Sequence, residues 1–395
     1  PFYPAIYKGW VYFASPYRLQ GMALDGTLLS FSKIPGYLSR VEEKNSEIFY
    51  APTVEGDKVY CSFIVNPQFI NSENFRGIPI KEPIPLRRLM CFNRFTGAKI
   101  WEKDGKDDPF FKSASFPFPP IVKDNQLFGM VYRIKGYVQT FLVALDADTG
   151  KTLWKKWISS GSTETTMFGY HAREPLSTMV TEQDGILYCA TEQGVIAALR
   201  AIDGRMLWAY RYDTLRIRPA KYYQPVIRKI EWANTPPLVW GNRICVTPLD
   251  SNYFYVLDTK TGRLVWKKSR ILSYRGSLKY LVGISQGLVI LSNKSAVAYD
   301  IESGKLVWKT QFIGCQPLGR GIIAGKKVYF PVLEEPSRWN DYKKSYKIIE
   351  VDLNVGIQNS HILLPLGVQA GNLVVTKDYV FLGTEKNILI FKNRP

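Results

Sequence analysis

The chain has 395 residues, of which 46% are hydrophobic and 22% are charged; this composition excludes a disordered polypeptide, and the lack of any stretch of about 20 apolar residues excludes a membrane-spanning helix. The 52 Lys and Arg residues exceed the 34 Asp and Glu residues and give a formal net charge of +18, which favours an acidic partner. The basic residues are scattered as pairs rather than collected in a run, so nucleic acid is disfavoured as that partner.

In chain order, the sequence begins with Pro1 and Phe2, which do not resemble a signal peptide, and we expect further residues to precede them. A branched apolar residue, usually followed by an aromatic one, then recurs eight times after a turn. These pairs begin at Val11, Val59, Leu127, Leu187, Ile244, Val289, Val328 and Val380. Their mean spacing of about 53 residues suits four-stranded units and predicts an all-β fold, an eight-bladed β-propeller.

A second pattern, close to D-x-x-[ST]-G-[KR]-x-[LV]-W, recurs five times after an alternating apolar run. We interpret it as the end of a strand, a tight turn with a glycine at positive φ, and the start of the next strand. Asp146, Asp258 and Asp300 are predicted to accept hydrogen bonds from turn amides rather than to bind a metal. The motif tryptophans are predicted to pack between neighbouring blades rather than against a cofactor; they are Trp101, Trp154, Trp208, Trp266 and Trp308.

The repeats predict a single propeller domain over residues 1–395. The predicted blades span approximately 1–48, 49–115, 116–174, 175–231, 232–275, 276–314, 315–366 and 367–395. The last of these ends soon after Phe391 and lacks an outermost strand. We therefore expect an N-terminal strand to complete that blade and close the ring, which removes exposed sheet edges.

The repeated turn with its tryptophan resembles the tryptophan-docking motif of the quinoprotein-like (PQQ-repeat) eight-bladed β-propeller family, over nearly the whole chain. That resemblance implies either a pyrroloquinoline quinone (PQQ) dehydrogenase or a non-catalytic scaffold of the BamB-like branch. The scaffold branch fits better, because the PQQ alcohol dehydrogenases are much longer and carry two adjacent cysteines, whereas no two of the five cysteines here are adjacent. No motif assigns a ligand, so we predict no cofactor, no metal and no catalytic residue.

Few other side chains are candidates for chemistry. His171 and His361 lie far apart in the sequence, which does not favour a His-built metal site or a catalytic dyad. Cys61 and Cys91 fall in neighbouring strands of the second blade. A disulfide or a pair of buried thiols is expected there, and buried thiols are favoured.

Six insertions fall in two classes of loop that lie on the same face of a propeller. Those between the second and third strands of a blade span 66–89, 133–140 and 334–347. Those between consecutive blades span 104–118, 159–174 and 211–231. We therefore predict one elaborated face that carries the binding residues, because binding residues concentrate on loops of a rigid scaffold.

Two of these insertions stand out by composition. Segment 211–231 is basic with adjacent tyrosines, which are typical of interface anchors, and segment 66–89 is rich in proline, which stiffens an extended arm. Solvated loops without a partner are the alternative. Trp339, in the insertion 334–347, is either a surface anchor or packed under its loop. The candidate partner-binding residues are Arg216, Arg218, Lys221, Tyr222, Tyr223, Arg228, Arg76, Arg87, Arg88 and Trp339.

The sequence thus favours a non-catalytic propeller scaffold that binds a protein with an acidic surface, as a subunit or assembly factor of a larger complex. The family resemblance implies an extracytoplasmic location, in the periplasm or cell envelope, and a peripheral association with a membrane stays open. The alternatives are a PQQ-dependent dehydrogenase or its propeller fragment, and a polysaccharide-binding propeller that uses loop aromatics.

Overall fold

The structure is a computed structural model of the chain. It describes residues 4–14, 18–24, 28–30, 51–73, 79–135, 137–161, 175–215, 232–273, 276–334, 345–364, 371–376, 379–383 and 388–392. Apart from the three N-terminal residues, the chain divides into two compact units. The first unit comprises Pro4–Ile230 with Pro248–Ser251, and the second comprises Glu231–Thr247 with Asn252–Pro395.

The first unit contains four antiparallel sheets, in which consecutive strands pair, except that the first strand of the third sheet pairs with the third strand of that sheet. The first sheet contains β1 (Ala5–Tyr7), β2 (Trp10–Ala14), β3 (Leu19–Ala23) and β4 (Leu28–Ser30). The second contains β5 (Thr53–Glu55), β6 (Lys58–Glu73), β7 (Pro79–Asn93) and β8 (Lys99–Glu102). After a 3-10 turn, Pro109–Lys112, the third contains β9 (Ala114–Ser115), β10 (Ile121–Lys123), β11 (Gln126–Lys135), β12 (Tyr137–Asp146) and β13 (Thr152–Gly161). The fourth contains β14 (Thr181–Gln183), β15 (Ile186–Ala190), β16 (Val195–Arg200) and β17 (Met206–Arg211).

The second unit contains four more antiparallel sheets. The fifth sheet contains β18 (Leu238–Trp240), β19 (Arg243–Val246), β20 (Tyr253–Asp258) and β21 (Leu264–Ser269). The sixth contains β22 (Ile271–Ser273), β23 (Gly276–Ser285), β24 (Leu288–Asn293), β25 (Ser295–Asp300) and β26 (Leu306–Gln311). The seventh contains β27 (Cys315–Pro317), β28 (Ile322–Ala324), β29 (Lys327–Glu334), β30 (Ser345–Asp352) and β31 (Gln358–Leu363). The eighth contains β32 (Leu373–Val375), β33 (Tyr379–Gly383) and β34 (Ile388–Lys392).

Within each unit the core lies between consecutive sheets, because the middle strands are buried on both faces. On β11, Leu127 packs in a cluster with Tyr60 and Leu89 of the second sheet. Its neighbour Phe128 packs instead with Leu187 of the fourth sheet. Successive side chains of a strand point to opposite faces, so an unbroken apolar run supplies both contacts.

Eight sheets of consecutive antiparallel strands make the fold an eight-bladed β-propeller, as predicted. The 3-10 turn Pro109–Lys112 is the one helical element among the described residues. No helix in the part of the chain that the structure describes has the length and apolarity to cross a membrane. The eighth sheet has three strands there, and the strand predicted to complete it stays a prediction because residues 1–3 lie outside the described ranges.

The register of the second sheet decides between the two expectations for the cysteine pair. Cys61 lies opposite Met90, and Cys91 lies opposite Tyr60. The two sulfur-bearing side chains therefore point to opposite faces of the sheet, and both are buried free thiols. Burial raises the pKa of Cys91 to about 12, which keeps the thiol protonated and unreactive at neutral pH.

Candidate protein-binding face

The repeated turns are built around their first carboxylate. Asp146 Oδ1 accepts hydrogen bonds from the backbone N–H of Thr149 at 2.8 Å and from its hydroxyl at 2.6 Å. Gly150 follows at a φ of +69°, a conformation that a side chain would strain. The same pair of bonds recurs from Thr261 to Asp258 and from Ser303 to Asp300. These carboxylates are engaged by their own turns.

Each of four motif tryptophans contacts the turn of the following repeat. Trp154 Nε1 donates to the carbonyl of Ala201 at 2.9 Å, and its ring lies 2.6 Å from where a Cβ on Gly204 would be. The indole thus fills the space that a side chain at this glycine would need. The same arrangement joins Trp101 to Ala147 and Gly150, Trp266 to Ile301 and Gly304, and Trp308 to Leu353 and Gly356. The indole of Trp208 is buried.

Most of the candidate partner-binding residues lie outside the described residues. These are Arg76, Arg216, Arg218, Lys221, Tyr222, Tyr223, Arg228 and Trp339. Their role in binding stays a prediction.

The two described candidates, Arg87 and Arg88, are not free surface anchors. Arg87 lies within β7 and is 1% exposed. The connection 104–118 runs beside it. The backbone N–H of Arg87 donates to Ser115 Oγ at 2.8 Å, and its carbonyl accepts from Phe116 N–H at 3.0 Å. Arg88 Nη1 forms an ion pair with Glu102 Oε1 at 2.7 Å. The Arg87 side chain is therefore buried in this structure, and its contact with a partner stays a prediction.

The insertion 66–89 is a ribbon of two paired strands rather than a separate arm. β6 and β7 stay in register from Asn66 opposite Leu86 to Glu73 opposite Pro79. The corresponding strands of the fourth sheet, β15 and β16, have 5 and 6 residues, whereas β6 and β7 have 16 and 15. The sequence predicted an extended arm stiffened by its prolines; the arm is extended, and its two strands pair, because proline is compatible with the free edge of a ribbon.

The prolines of β7 block one edge of this ribbon. Pro79, Pro83 and Pro85 alternate along the strand, so their backbone nitrogens share one side of it. Pro85 lies opposite Pro67. Because neither proline has an N–H, the two residues cannot form a hydrogen-bonded pair. The nitrogen of Pro85, and with it this side of the strand, is therefore directed away from β6. An edge with so few N–H donors does not accept a further strand.

The connection 104–118 is held between the ribbon and the third sheet. Its two-residue strand β9 pairs with β11, with Ala114 opposite Arg133. Asp108 caps the 3-10 turn by accepting from Phe110 N–H at 3.1 Å, and it also accepts from Lys155 Nζ at 2.5 Å. Burial would raise the pKa of Asp108, but the hydrogen bonds from Lys155 and Phe110 hold it below its usual range.

A cluster of cations and phenylalanine rings surrounds this turn. The Phe110 and Phe141 rings meet edge to face, with centroids 4.9 Å apart. Arg133 Cζ and Lys155 Nζ each lie 4.9 Å from the Phe110 centroid. Nearby, Tyr137 is 64% exposed at the end of the β11–β12 hairpin. The cluster offers aromatic surface flanked by positive charge, which suits an acidic or aromatic segment of a partner.

Sequence reasoning missed the cation–phenylalanine cluster because its members come from separate strands and a connection. Phe110 lies in the 3-10 turn, Arg133 on β11 and Lys155 on β13. The adjacent Phe110 and Phe111, in an insertion between two blades, were the one local signal. Their pairing with cations follows from the register of the third sheet.

The segment leading into the basic loop 211–231 is anchored in the first unit. Tyr212 N–H donates to the carbonyl of Gly194 at 2.9 Å, and its hydroxyl donates to Asp250 Oδ1 at 2.5 Å. Leu215 N–H donates to the carbonyl of Asp250 at 2.7 Å. Burial, together with the negative charge of Asp250, raises the pKa of Tyr212 well above its usual range. The loop thus leaves the sheet from a fixed root.

The described residues do not form a quinone–metal site of the kind that the dehydrogenase alternative requires. Three or more His, Cys, Asp or Glu side chains placed to hold a metal ion do not occur among the described residues. The turn carboxylates that come closest to a repeated ligand set accept hydrogen bonds within their own turns. The chain also has no adjacent cysteines to lie over a quinone.

The fold and the repeated turns resemble those of the quinoprotein-like, PQQ-repeat propellers, and comparison with known proteins confirms this predicted resemblance. A family model described as the outer membrane protein assembly factor BamB matches residues 138–319.

Individual relatives come from both branches of that class. BamB of Yersinia pestis is 25% identical over 169 residues, which cover 42% of this chain and 38% of that protein. The quinohemoprotein alcohol dehydrogenase ADH IIB of Pseudomonas putida is 25% identical over 139 residues, which cover 32% of this chain and 19% of that protein. The chain thus spans less than half of the length of these curated relatives.

The solved structures share the fold. The crystal structure of BamB from Moraxella catarrhalis superposes with a TM-score of 0.57 at 14% sequence identity, and the match covers 98% of this chain and 92% of that one. At this identity the likeness extends to the fold alone.

Proposed function

We propose that the protein is a non-catalytic propeller scaffold that binds partner proteins, as a subunit or assembly factor of a larger extracytoplasmic complex. The observation that carries the proposal is that the connections at one end of the strands are longer than those at the other end. The β6–β7 ribbon and the β11–β12 hairpin extend that end of the first unit, whereas the turns at the other end of the strands are short and alike. The cation–phenylalanine cluster lies beside the middle of β12 and β13, where Phe141 is opposite Trp157 and Val143 is opposite Lys155.

The partner that this face suits is a protein segment with acidic and aromatic residues. Arg133 and Lys155 lie over partly exposed Phe110, and the basic residues of 211–231 follow a fixed root in the same unit. Ordered cations beside aromatic rings favour encounter with an acidic surface and hold an aromatic side chain after docking.

The extracytoplasmic location and the role in a complex are supported by relatives named as outer membrane protein assembly factors. These relatives are distant, so the proposal extends to this chain a role that their names give. The dehydrogenase relatives favour quinone chemistry as a second candidate, against which stands the lack of a fitting ligand set among the described residues.

Site-directed photocrosslinking of the full chain in its own cells tests the proposal. A photoreactive phenylalanine analogue at Tyr137, on the elaborated face, is expected to crosslink a defined partner protein. The same analogue at Ile202, exposed in a repeated turn at the opposite end of the strands, is the matched control and is expected to crosslink none. Equal crosslinking at both positions, or none at Tyr137, would contradict this assignment of the face.

A separate assay addresses the dehydrogenase candidate. The purified protein is incubated with PQQ and Ca²⁺, and alcohol-dependent reduction of a dye is followed. We expect no turnover above that of free PQQ. Turnover that saturates with alcohol and is lost on removal of PQQ would overturn the non-catalytic proposal.

A further inference from the structure

The outermost strand of the seventh sheet differs from those that carry the repeat tryptophans. Within the described part of the chain, β31 pairs on one side only, with β30, and all six of its residues are exposed. Ser360, opposite Glu350, occupies the position that tryptophan holds in five other repeats. The strand therefore has no indole to bury against a following turn and is open to solvent along its length.

The edge of β31 also lacks the charges that protect the other outer strands. A lysine or arginine on an edge strand disfavours addition of another strand, because its charge would be desolvated. β31 contains no Lys, Arg, Asp or Glu. The outer strands that bear the repeat tryptophans contain Lys99 on β8, Lys155 and Lys156 on β13, Arg211 on β17, Lys267 and Lys268 on β21, and Lys309 on β26.

The backbone of β31 presents hydrogen-bonding groups on its outer side. Leu364 N–H donates inward to the carbonyl of Tyr346 at 2.9 Å, which sets the phase of the ladder between β31 and β30. In an antiparallel pair, hydrogen-bonded and non-hydrogen-bonded positions alternate. The N–H and C=O groups of His361 and Leu363 are therefore directed away from β30, where a further strand could pair with them.

The polarity of β31 changes along its length and specifies what could pair with it. Gln358, at the start, is polar, whereas Ile362 and Leu363, at the end, are apolar, with 51% and 62% of their surfaces exposed. Antiparallel pairing with a second copy of β31 would place the apolar end against the polar end. A strand of a different protein that begins apolar and ends polar would match each half.

We propose that β31 is a strand-addition site that takes an uncharged, extended segment of a partner protein, antiparallel to β31, with its apolar end against Ile362 and Leu363. The partner segment supplies N–H and C=O groups for the outward-directed groups of His361 and Leu363. Pairing would also cover the exposed isoleucine and leucine side chains. This site lies in the second unit and does not use the elaborated face of the first unit.

A synthetic peptide tests the site directly in the full-length protein. The probe is capped at both ends and reads three valines followed by threonine, glutamine and threonine; the control peptide has the reverse order. Backbone amide exchange is measured by NMR with each peptide present. We expect the forward peptide to slow exchange at His361 and Leu363 by about tenfold or more, and the reversed peptide to bind about tenfold more weakly.

Three variants locate the effect. Ile362→Lys places a charge on the edge and is expected to reduce the affinity for the forward peptide about tenfold or more. His361→Pro removes an outward-directed N–H without removing a bond to β30, and is expected to act similarly. Val307→Lys, the matched control on the charged outer strand β26, is expected to leave peptide affinity unchanged. Thermal unfolding checks that all three variants fold, since the replaced residues are exposed.

Several results would overturn the proposal. These are an absence of protection at His361 and Leu363, equal binding of the two peptides, or an equal loss of affinity in the Val307→Lys protein. Self-association of the protein without peptide, lost in Ile362→Lys, would show instead that a second copy occupies the edge.

Discussion

The two ends of the same strands in the first unit are built on different principles. At one end of β12, Asp146 begins a turn that matches several others in its hydrogen bonds and in its glycine of positive φ. At the other end, Tyr137 lies at the β11–β12 hairpin, and the β6–β7 hairpin of the second sheet extends into a ribbon that has no counterpart in the fourth sheet. The difference indicates that the repeated end stabilises neighbouring sheets and that the irregular end is free to serve recognition.

Removing a motif tryptophan should have the largest effect on stability. Trp154→Ala is expected to lower the free energy of unfolding by about 3 kcal/mol, at the lower end of the range for large aromatics because the indole is partly buried. The variant loses the bond to Ala201 and the contact with Gly204. Chemical denaturation measures the change. Trp157→Ala, three residues along β13 and exposed, is the control and should cost much less. Full stability of the Trp154 variant would refute the proposed packing role.

The glycine beneath the indole gives the next largest effect. Gly204→Ala is expected to cost about 2 kcal/mol, because the residue has a φ of +68° and the new Cβ would meet the Trp154 ring. In a Trp154→Ala background the steric part disappears, and only the backbone strain of about 1 kcal/mol should remain. If the loss of stability in the double variant equals the sum of the losses in the two single variants, the two residues do not act as a unit.

The connection at the irregular end should contribute less, in a pH-dependent way. Asp108→Asn keeps an acceptor for Phe110 N–H but loses the ion pair with Lys155, at an expected cost of about 1 kcal/mol at neutral pH. The pKa of Asp108 is lowered by folding, so its stabilisation is present above its unfolded pKa near 3.8 and is lost as pH falls through the folded value. Urea denaturation of the unmodified protein and the Asp108→Asn variant, at neutral pH and well below pH 3.8, checks this. A loss of stability in the variant that persists at the lower pH would contradict it.

Substitutions in the basic loop should leave stability nearly unchanged and affect only association. Replacing Arg216, Arg218 and Lys221 with Glu is expected to change the free energy of unfolding by about 0.5 kcal/mol or less, as for other loop substitutions. Association with the partner identified by crosslinking should slow and become less sensitive to salt. If the triple variant associates as fast as the unmodified protein at both low and high salt, this part of the face is not used. Binding of nucleic acid, with a steep salt dependence lost in the variant, would reassign the partner.

The strands and turns of the fold could be predicted from the sequence because their causes are local. A carboxylate three residues before a threonine, followed by glycine, specifies a turn wherever it occurs, as Asp146, Thr149 and Gly150 illustrate. Eight apolar pairs at similar spacing were enough to predict eight sheets, because each sheet needs one such buried strand between its neighbours.

The residues of the binding face could not be predicted in the same way. Arg87 looked like a surface cation, but β9 covers it because Ser115 and Phe116 bond to its backbone. The proline-rich insertion was predicted to be a stiff, extended arm, and the pairing of its two strands was not predicted, although alternation of the prolines on one edge is compatible with a paired ribbon. The side chain that an arginine or a proline presents depends on which strand lies beside it.

The eight repeats, their turns and the tryptophan positions can be recognised in the sequence, since all of these depend on residues a few positions apart. The meeting of Phe110, Arg133 and Lys155 and the open edge of β31 depend instead on tertiary contacts. Burial and strand pairing join segments that are distant in the chain. Strand register and packing between sheets fix which of those segments meet.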